Sequence, residues 1–422
     1  MSLFFNYFQS KSVVNLLIAL IPASVVAGSL IINLNILFII ILGFFIILKE
    51  NFKLELNIEN KLLSIFFLTI IVSTFINNNY SFDLLFAKSL FLLRFLFLYL
   101  IFETLFKNKY LNLDFFFKLS LFFGSLISID ITSNYFLGIS LSGFTKNANY
   151  NSLFGTERIA GGYLQFIFPF MVISIIKIFE RKNIQLIFIF VITNLVLIAS
   201  LISLNRMPLI MSIFFIILLI IFYKKLRLVF FISLITFSFF SSIIYKNDKI
   251  IENRLSSFYG HVSSVTKNEN NNILKSDFFS KGYSSNHGKM FLNSFNLFKE
   301  KIWYGGGLKS FRINCPNFAI NKICSTHPHN QVLEILNDTG LIGFILIFTF
   351  IILIIKNYLI QGLKRNQKLD KDFYIILLAG FLMIIWPIKS TGSIFSTSYG
   401  SLAWIWIAII SYIKSTEEIK KR

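Results

Sequence analysis

Long apolar runs alternate with short polar segments along nearly the whole chain, and this pattern predicts an all-α protein of membrane-spanning helices. A helix rises about 1.5 Å per residue, so roughly 20 residues cross a hydrocarbon core of about 30 Å. The twelve predicted spans are 13–32, 34–48, 62–76, 84–106, 115–138, 162–179, 184–203, 207–222, 228–245, 330–355, 373–389 and 400–413. Lys11 before the first run also fits a signal peptide, but the spans that follow favour a first transmembrane helix.

Composition and charge support a single transmembrane domain over residues 1–422. Of the residues, 55% are hydrophobic, 53 are Phe and only 14% are charged, which excludes a soluble domain. The segments predicted to be cytoplasmic contain 22 Lys and Arg residues, and the short outer loops contain four. This bias predicts that both termini are cytoplasmic. The net charge of +20 is then mainly a topology signal with some affinity for anionic membrane lipids, and nucleic acid is not an expected partner.

One long outer loop is predicted at 246–328, and we expect it to fold over the helix bundle as short helices. It contains all four histidines and both cysteines of the chain. Cys315 and Cys324 stand nine residues apart in what this topology makes an oxidising space. A disulfide between them is therefore predicted, and two free thiols are the alternative.

A group of polar residues precedes the span at 330–355. Pro328 suits the first turn of a helix, which predicts His329 at a helix N-terminus, where the helix dipole disfavours imidazolium. A neutral imidazole near pH 7 is what a general base requires. Gly340 and Gly343 share one face and are expected to let a neighbouring helix or a lipid come close.

Two other interpretations of this segment stay open. His329 can be an ordinary histidine at the start of an interfacial helix, with its hydrogen bonds satisfied. His327 and His329 can also hold a metal ion, but no third ligand stands at a convincing spacing, and no metal site is predicted.

The order of His329 and Asn330, nine residues, then Gly340-x-x-Gly343 resembles the signature of the O-antigen ligase and polymerase superfamily. The resemblance covers mainly residues 155–350, an O-antigen ligase-like core. It implies a membrane glycosyltransferase that moves glycans off undecaprenyl diphosphate, with His329 as the catalytic base.

Two arginines match positions that this superfamily assigns to the lipid diphosphate. Arg206 follows a small polar residue, and Arg158 begins an Arg-x-x-Gly element. A guanidinium can clamp diphosphate oxygens with paired hydrogen bonds. Alternatively, Arg206 snorkels to the membrane interface, and Glu157 beside Arg158 pairs with a neighbouring cation.

A second resemblance begins at His287. The superfamily shows an arginine, an amphipathic helix and then Gly-x-Gly-x-x-x-Phe, which here is Gly305, Gly307 and Phe311. His287 stands where that arginine normally is, which is a departure. Either His287 binds phosphate or acceptor in its place, or Lys289 or Lys281 supplies the charge. The glycines are expected to form a tight turn.

The resemblance implies glycosyl transfer at the outer face of a bacterial inner membrane. The donor would be a glycan on undecaprenyl diphosphate, and the acceptor a sugar hydroxyl on lipid A core or on another glycan. Since such a donor carries its own leaving group, neither a metal nor a cofactor is expected. A polymerase would use the same donor. A transporter or flippase would need broken helices in paired halves, for which the sequence shows no symmetry, and a scaffold would leave the histidine motif unexplained.

Three charged residues within predicted spans are further candidates for a functional role. Arg94 and Asp130 are expected at similar depths, which makes them candidates for a buried pair. Lys389 ends a predicted span on the outer side and can face the same cavity as these two residues.

Overall fold

The computed structural model describes residues 10–77, 82–141, 143, 150, 152–155, 157, 159–253, 255–256, 286–318, 323–363, 368–390 and 392–418. These residues form helices and no strand. The first seven helices are α1 Ser10–Ala19, α2 Ile21–Ala27, α3 Ser29–Lys49, α4 Ile58–Ile76, α5 Phe82–Phe91, α6 Leu93–Lys107 and α7 Asp114–Leu137. A short turn of 3-10 helix, Ser152–Phe154, precedes α8 Ala160–Ile178, α9 Lys182–Ile202, α10 Arg206–Phe222 and α11 Arg227–Asn247. The last five are α12 Asn286–Glu300, α13 Ser310–Phe318, α14 Gln331–Leu363, α15 Lys368–Ile385 and α16 Ser398–Glu418.

The helices make this a multi-pass membrane protein, as the apolar pattern predicted. Among the described residues, eight helical segments are long and apolar enough to cross a membrane, with α5 and α6 counted as one. Three further predicted spans are shorter apolar helices, namely α10 and parts of α15 and α16. The remaining one, at the start of the chain, is broken into α1 and α2. The number twelve therefore stays a prediction.

The boundary between the first two predicted spans lies at Gly28 rather than at residue 33. Gly28 has a φ of 111° and ends α2, and α3 then continues to Lys49 without a break. Asn35 lies inside α3, where its side-chain amide donates to the Leu17 carbonyl oxygen (3.0 Å) and to Ser24 Oγ (3.1 Å). Asn35 thus ties α3 to both α1 and α2.

Helix α16 is the centre of the bundle. Residues 401–410 are all buried, which is typical of a helix that is apolar on every side. The Trp404 ring packs on Phe67 and Phe95, with ring centres 5.0 and 5.8 Å away. The Trp406 ring stacks on Phe170 at 4.2 Å, and its indole N–H donates to the Phe166 carbonyl oxygen. Helices α6 and α8 are thereby held against α16.

Helix α14 is not the continuous helix that was predicted. Gly340 breaks it with φ 65° and ψ −166°, a conformation open to glycine and costly for other residues. On one side of the break, Leu341 N donates to the Ile302 carbonyl oxygen (2.7 Å). On the other side, the Asn337 carbonyl oxygen accepts from Gly306 N (2.7 Å). Because irregular backbone inside a membrane needs protein partners, the expected turn at Gly305–Gly307 fills the break.

The predicted pairing of Arg94 with Asp130 is not found. Arg94 donates to the Phe91 carbonyl oxygen (2.9 Å), and its guanidinium lies 4.1 Å from the ring centres of Phe91 and Phe95. Asp130 accepts from the backbone N–H of Leu141 (2.6 Å). Similar depth does not imply contact here, because α6 packs on α16 and α3 whereas α7 packs on α8 and α9.

Candidate functional site

A cavity of about 1150 Å³ brings together side chains from distant parts of the chain. Its wall includes residues of α2, α8, α10, α12 and α16, together with the segment 327–330 and the loop 387–392. Most of the lining surface is apolar. The charged and titratable residues in the wall are Tyr163, Arg206, His287, His327, His329, Lys389 and Tyr399. No Asp or Glu is among the described residues that line it.

Arg206 is the first residue of α10 and follows the turn that ends α9. The turn is tight because Leu204 adopts φ 58° and the next helix begins two residues later. Gly161 at the start of α8 lies directly against this turn, where a Cβ atom would come within 2.7 Å of Asn205 Cβ. The glycine of the Arg-x-x-Gly element thus allows α8 to approach the Arg206 turn. A guanidinium at the positive end of a helix favours an anion.

Three imidazoles form one cluster on the cavity wall. The ring centre of His329 lies 4.1 Å from that of His327 and 5.1 Å from that of His287. Ser325 Oγ lies 3.1 Å from His329 Nε2, and Thr326 Oγ1 lies 3.1 Å from His327 Nδ1. His287 comes from the first turn of α12, so two separate segments supply the cluster.

The helix that follows His329 begins later than predicted. Its first residue is Gln331, and Asn330 caps it by accepting from Val332 N (2.9 Å) and Leu333 N (3.0 Å). Pro328 is therefore outside the helix, and His329 adopts φ 55°, just before the cap. The physical reason is that the first N–H groups of the helix need an acceptor. The Asn330 side chain provides one, so the helix starts after Asn330 and not at Pro328.

Asn330 also joins the histidine segment to the loop after α15. Its amide nitrogen donates to the carbonyl oxygens of Pro387 (2.9 Å) and Lys389 (3.2 Å). The predicted site did not include this role of Asn330, although Asn at a helix start is a recognisable capping signal. Lys389 lines the cavity, and its ammonium group donates to the carbonyl oxygens of Met383 and Ile384 at the end of α15.

Two carboxylates of α14 accept hydrogen bonds from adjacent segments of the same protein. Glu334 accepts from Ser393 Oγ and from Ile394 N (2.8 Å), directly after the cavity loop. Asp338 accepts from Lys309 N and Ser310 N, both at 3.0 Å, at the start of α13. Both carboxylates are buried. Each therefore stabilises the start of a segment that packs beside the cavity.

The sulfur atoms of Cys315 and Cys324 form a disulfide in the structure. Cys315 is buried in a small apolar cluster with Met290, Leu297 and Phe311. Cys324 immediately precedes Ser325, whose hydroxyl contacts His329. The disulfide thus ties α13 to the segment that positions the histidine.

The structure brings together Arg206, His287 and His329 of the predicted site residues. Lys289 does not line the cavity, because two residues along a helix correspond to a rotation of about 200° away from His287. Arg158 and Lys281 lie outside the described residues.

The described part of the wall has basic groups and no carboxylate, which favours an anion, although burial makes two of these groups easier to deprotonate. Burial and the nearby charge of Arg206 hold the pKa of His287 below its ordinary value. Burial lowers the pKa of Lys389 to about 7. Among the described residues, no group of three or more His, Cys, Asp or Glu side chains that could hold a metal is found. The arrangement can bind an anionic group beside an imidazole that accepts a proton.

Comparison with known proteins identifies part of the chain. Residues 192–348 match the family model described as O-antigen ligase. The match runs from α9 into α14 and includes Arg206, His287 and His329, and it lies within the core predicted at 155–350. The resemblance seen in the sequence is thereby confirmed. None of the curated proteins compared with the chain matches it.

Proposed function

We propose that the protein transfers a glycan from undecaprenyl diphosphate to a sugar hydroxyl, because residues 192–348 match the family model described as O-antigen ligase. The reaction takes place at the outer face of a bacterial inner membrane, with both termini of the chain in the cytoplasm. The observation that carries this proposal is that Arg206 and His329 line one cavity with mostly apolar walls. An anionic headgroup on a long hydrocarbon chain is the kind of ligand that such a wall fits.

The donor binds with its diphosphate at the start of α10. Arg206 supplies paired N–H donors, and the N-terminus of α10 adds its partial positive charge. Arg158 and His287 are the further diphosphate ligands of this proposal. The cavity gives each hydrogen bond to phosphate a lower dielectric than water, which strengthens it.

The transfer step needs one proton acceptor. His329 removes the proton of the acceptor hydroxyl as its oxygen attacks the anomeric carbon of the donor sugar. The bond between that carbon and the diphosphate oxygen breaks, and the electron pair leaves with undecaprenyl diphosphate. Fixed positive charge at Arg206 stabilises the leaving group, so no metal ion takes part.

The acceptor in this proposal is lipid A core, which makes the protein an O-antigen ligase. A polymerase would use the same donor and the same base with a growing glycan as acceptor. The apolar wall and the basic residues serve both reactions equally, and the acceptor is therefore decided by experiment.

Deletion of the gene, followed by analysis of surface glycan, separates these alternatives. A ligase predicts loss of attached polymer, with polymer accumulating on the lipid carrier. Single repeat units on the core would instead indicate a polymerase. Loss of attached glycan, with lipid-linked glycan retained at the cytoplasmic face, would indicate a flippase. Complementation should fail with His329→Ala. It should succeed with Lys299→Gln, a matched change of an exposed residue of α12 that does not line the cavity.

A further inference from the structure

We propose that the segment 302–304, between α12 and α13, inserts into the membrane interface and anchors α12 to the lipid. The segment belongs to the loop predicted on the outer side, for which no membrane contact was expected. Its partner is the lipid leaflet on the side of the cavity.

The segment exposes three consecutive large side chains. Trp303 is 63% exposed, and Ile302 and Tyr304 beside it are exposed as well. Adjacent exposed side chains of this kind mark a site of contact with a membrane or a protein. Trp and Tyr combine an apolar ring with a polar N–H or O–H group, which suits the boundary between hydrocarbon and water.

Helix α14 places the segment beside a surface that faces lipid. Leu341 N donates to the Ile302 carbonyl oxygen (2.7 Å), and Ile342 N donates to the Trp303 carbonyl oxygen (3.2 Å). The exposed apolar side chains of this membrane-spanning helix follow one face, namely Ile342, Ile345, Phe348 and Ile352. Residues 331–341 include no exposed side chain. Trp303 therefore lies where the lipid-facing surface of α14 begins.

Helix α4 gives the same position from the other side. Ser73 Oγ, in the last turn of α4, donates to the Tyr304 carbonyl oxygen, and the Asn77 amide donates to the Gly305 carbonyl oxygen (3.0 Å). The 19 residues of α4 correspond to about 28 Å, close to the thickness of a hydrocarbon core. One face of α4 is also exposed and apolar up to this turn, through Leu68, Val72 and Ile76. The segment thus lies at the edge of the hydrocarbon, between two lipid-facing surfaces.

This position favours lipid over a second protein as the partner. The surfaces on both sides belong to helices that are long and apolar enough to cross the membrane, so a covering protein would itself have to lie in the bilayer. Helix α12 ends at Glu300, two residues before the segment, and carries His287 of the cavity wall in its first turn. Insertion of 302–304 therefore holds α12 at a fixed depth beside the cavity.

Quenching of tryptophan fluorescence measures the depth of Trp303 in the full-length protein in phosphatidylcholine vesicles. Of the four Trp residues, Trp404 and Trp406 are buried in the bundle. The signal of Trp303 is the difference between wild type and Trp303→Phe. We expect bromine atoms on the acyl chains near the headgroups to remove most of this signal, and bromine near the bilayer centre to remove less. Iodide on both sides of the membrane should leave the signal nearly unchanged.

Trp386→Phe is the matched control, because Trp386 is the other Trp with an exposed side chain. The Trp303 signal should keep the same quenching in that background. Quenching by iodide without an effect of bromine would place the segment in water and overturn the inference. Protection from both quenchers would show that protein covers the segment, which would overturn it as well.

Loss of the anchor should loosen α12. In vesicles, Trp303→Ser should increase hydrogen exchange of the α12 amides by roughly tenfold, because burial of a large apolar side chain contributes on that order. Amides of α11 should keep their wild-type protection. Unchanged exchange in α12 would overturn the anchoring role. If α11 also exchanges faster, the serine variant has lost its fold, and the quenching measured with Trp303→Phe decides.

Discussion

Asn330 donates its side-chain amide to the carbonyl oxygen of Lys389, with 3.2 Å between the two atoms. The same side chain accepts two backbone N–H groups at the start of α14. One residue therefore fixes the helix after His329 and connects it to the opposite wall of the cavity. The position of the proposed base depends on this connection.

Asn330→Ala should destabilise the protein and reduce transfer. Loss of a helix cap costs about 1 kcal/mol, and unpaired carbonyl groups add to this. Asn330→Asp keeps the capping oxygen but puts a carboxylate against two carbonyl oxygens, so it should also lower the melting temperature in detergent. Asn247→Ala, at the exposed end of α11, is the control. An Asp variant as stable and active as wild type would show that the bridge to Lys389 is dispensable.

His329→Ala should abolish transfer while the protein still inserts and binds donor. Loss of a general base typically costs about 10²- to 10⁴-fold in rate. Ser325→Ala removes the hydroxyl 3.1 Å from His329 Nε2 and should give a smaller loss. The assay uses purified lipid-linked donor, with thermal unfolding as the check of folding. Near-normal transfer by His329→Ala would remove this residue as the base.

Arg206→Lys should reduce activity substantially although it keeps the charge. Lysine lacks the planar fork that donates two parallel hydrogen bonds to phosphate. Loss of one charge-assisted hydrogen bond, worth about 1.5–3 kcal/mol, corresponds to a decrease of about 10- to 100-fold. Initial rates at saturating acceptor measure it. Wild-type rates in the lysine variant would mean that a simple positive charge suffices at this position.

Local sequence patterns predicted much of the architecture and the main members of the site. Apolar runs located most helices, because the thickness of the membrane sets the number of consecutive apolar residues in a spanning helix. The histidine motif indicated His329, which lines one cavity with Arg206 and His287, and the roles of these three residues stay predictions.

Features that depend on long-range hydrogen bonds could not be predicted in this way. Gly340 was expected to admit a helix or a lipid, yet its φ of 65° breaks α14 and the turn at 302–307 enters the gap. The signal for such a break is weak, because one glycine inside an apolar run also fits a helix interface. The capping of α13 by Asp338 likewise joins residues remote in sequence, and no periodic pattern reveals it.

The disulfide of Cys315 and Cys324 should persist in the mature protein. Alkylation with and without reductant, read by mass spectrometry, tests this in freshly isolated membranes. Replacing both cysteines by Ser should lower stability by about 2–4 kcal/mol, because the cross-link restricts the unfolded chain. It should also lower transfer, since Cys324 precedes the Ser325 that contacts His329. Free thiols in wild-type membranes would contradict both the cross-link and the predicted outer side of this loop.

Transfer should survive chelation of divalent cations, and this prediction separates the proposed mechanism from one in which a metal holds the diphosphate. The first two acidic residues after His329 in the sequence are Glu334 and Asp338. Both already accept hydrogen bonds within the protein. Each carboxylate accepts two hydrogen bonds from an adjacent segment of the protein, and neither lines the cavity. A hard cation needs several oxygen ligands, which these groups could supply only by releasing the loop at Ser393 and the start of α13.

We therefore expect full turnover in excess EDTA, with donor and acceptor freed of metal beforehand. Asp338→Asn provides a second test, because two backbone N–H groups donate to this carboxylate and an amide has only one acceptor oxygen. If the carboxylate is structural, this variant should melt at lower temperature, and the activity that remains should be unaffected by EDTA or by added magnesium. If instead chelation stops wild-type turnover and magnesium or manganese restores it, Glu334 and Asp338 become the metal ligands. Arg206 would then have only a secondary role in binding the diphosphate.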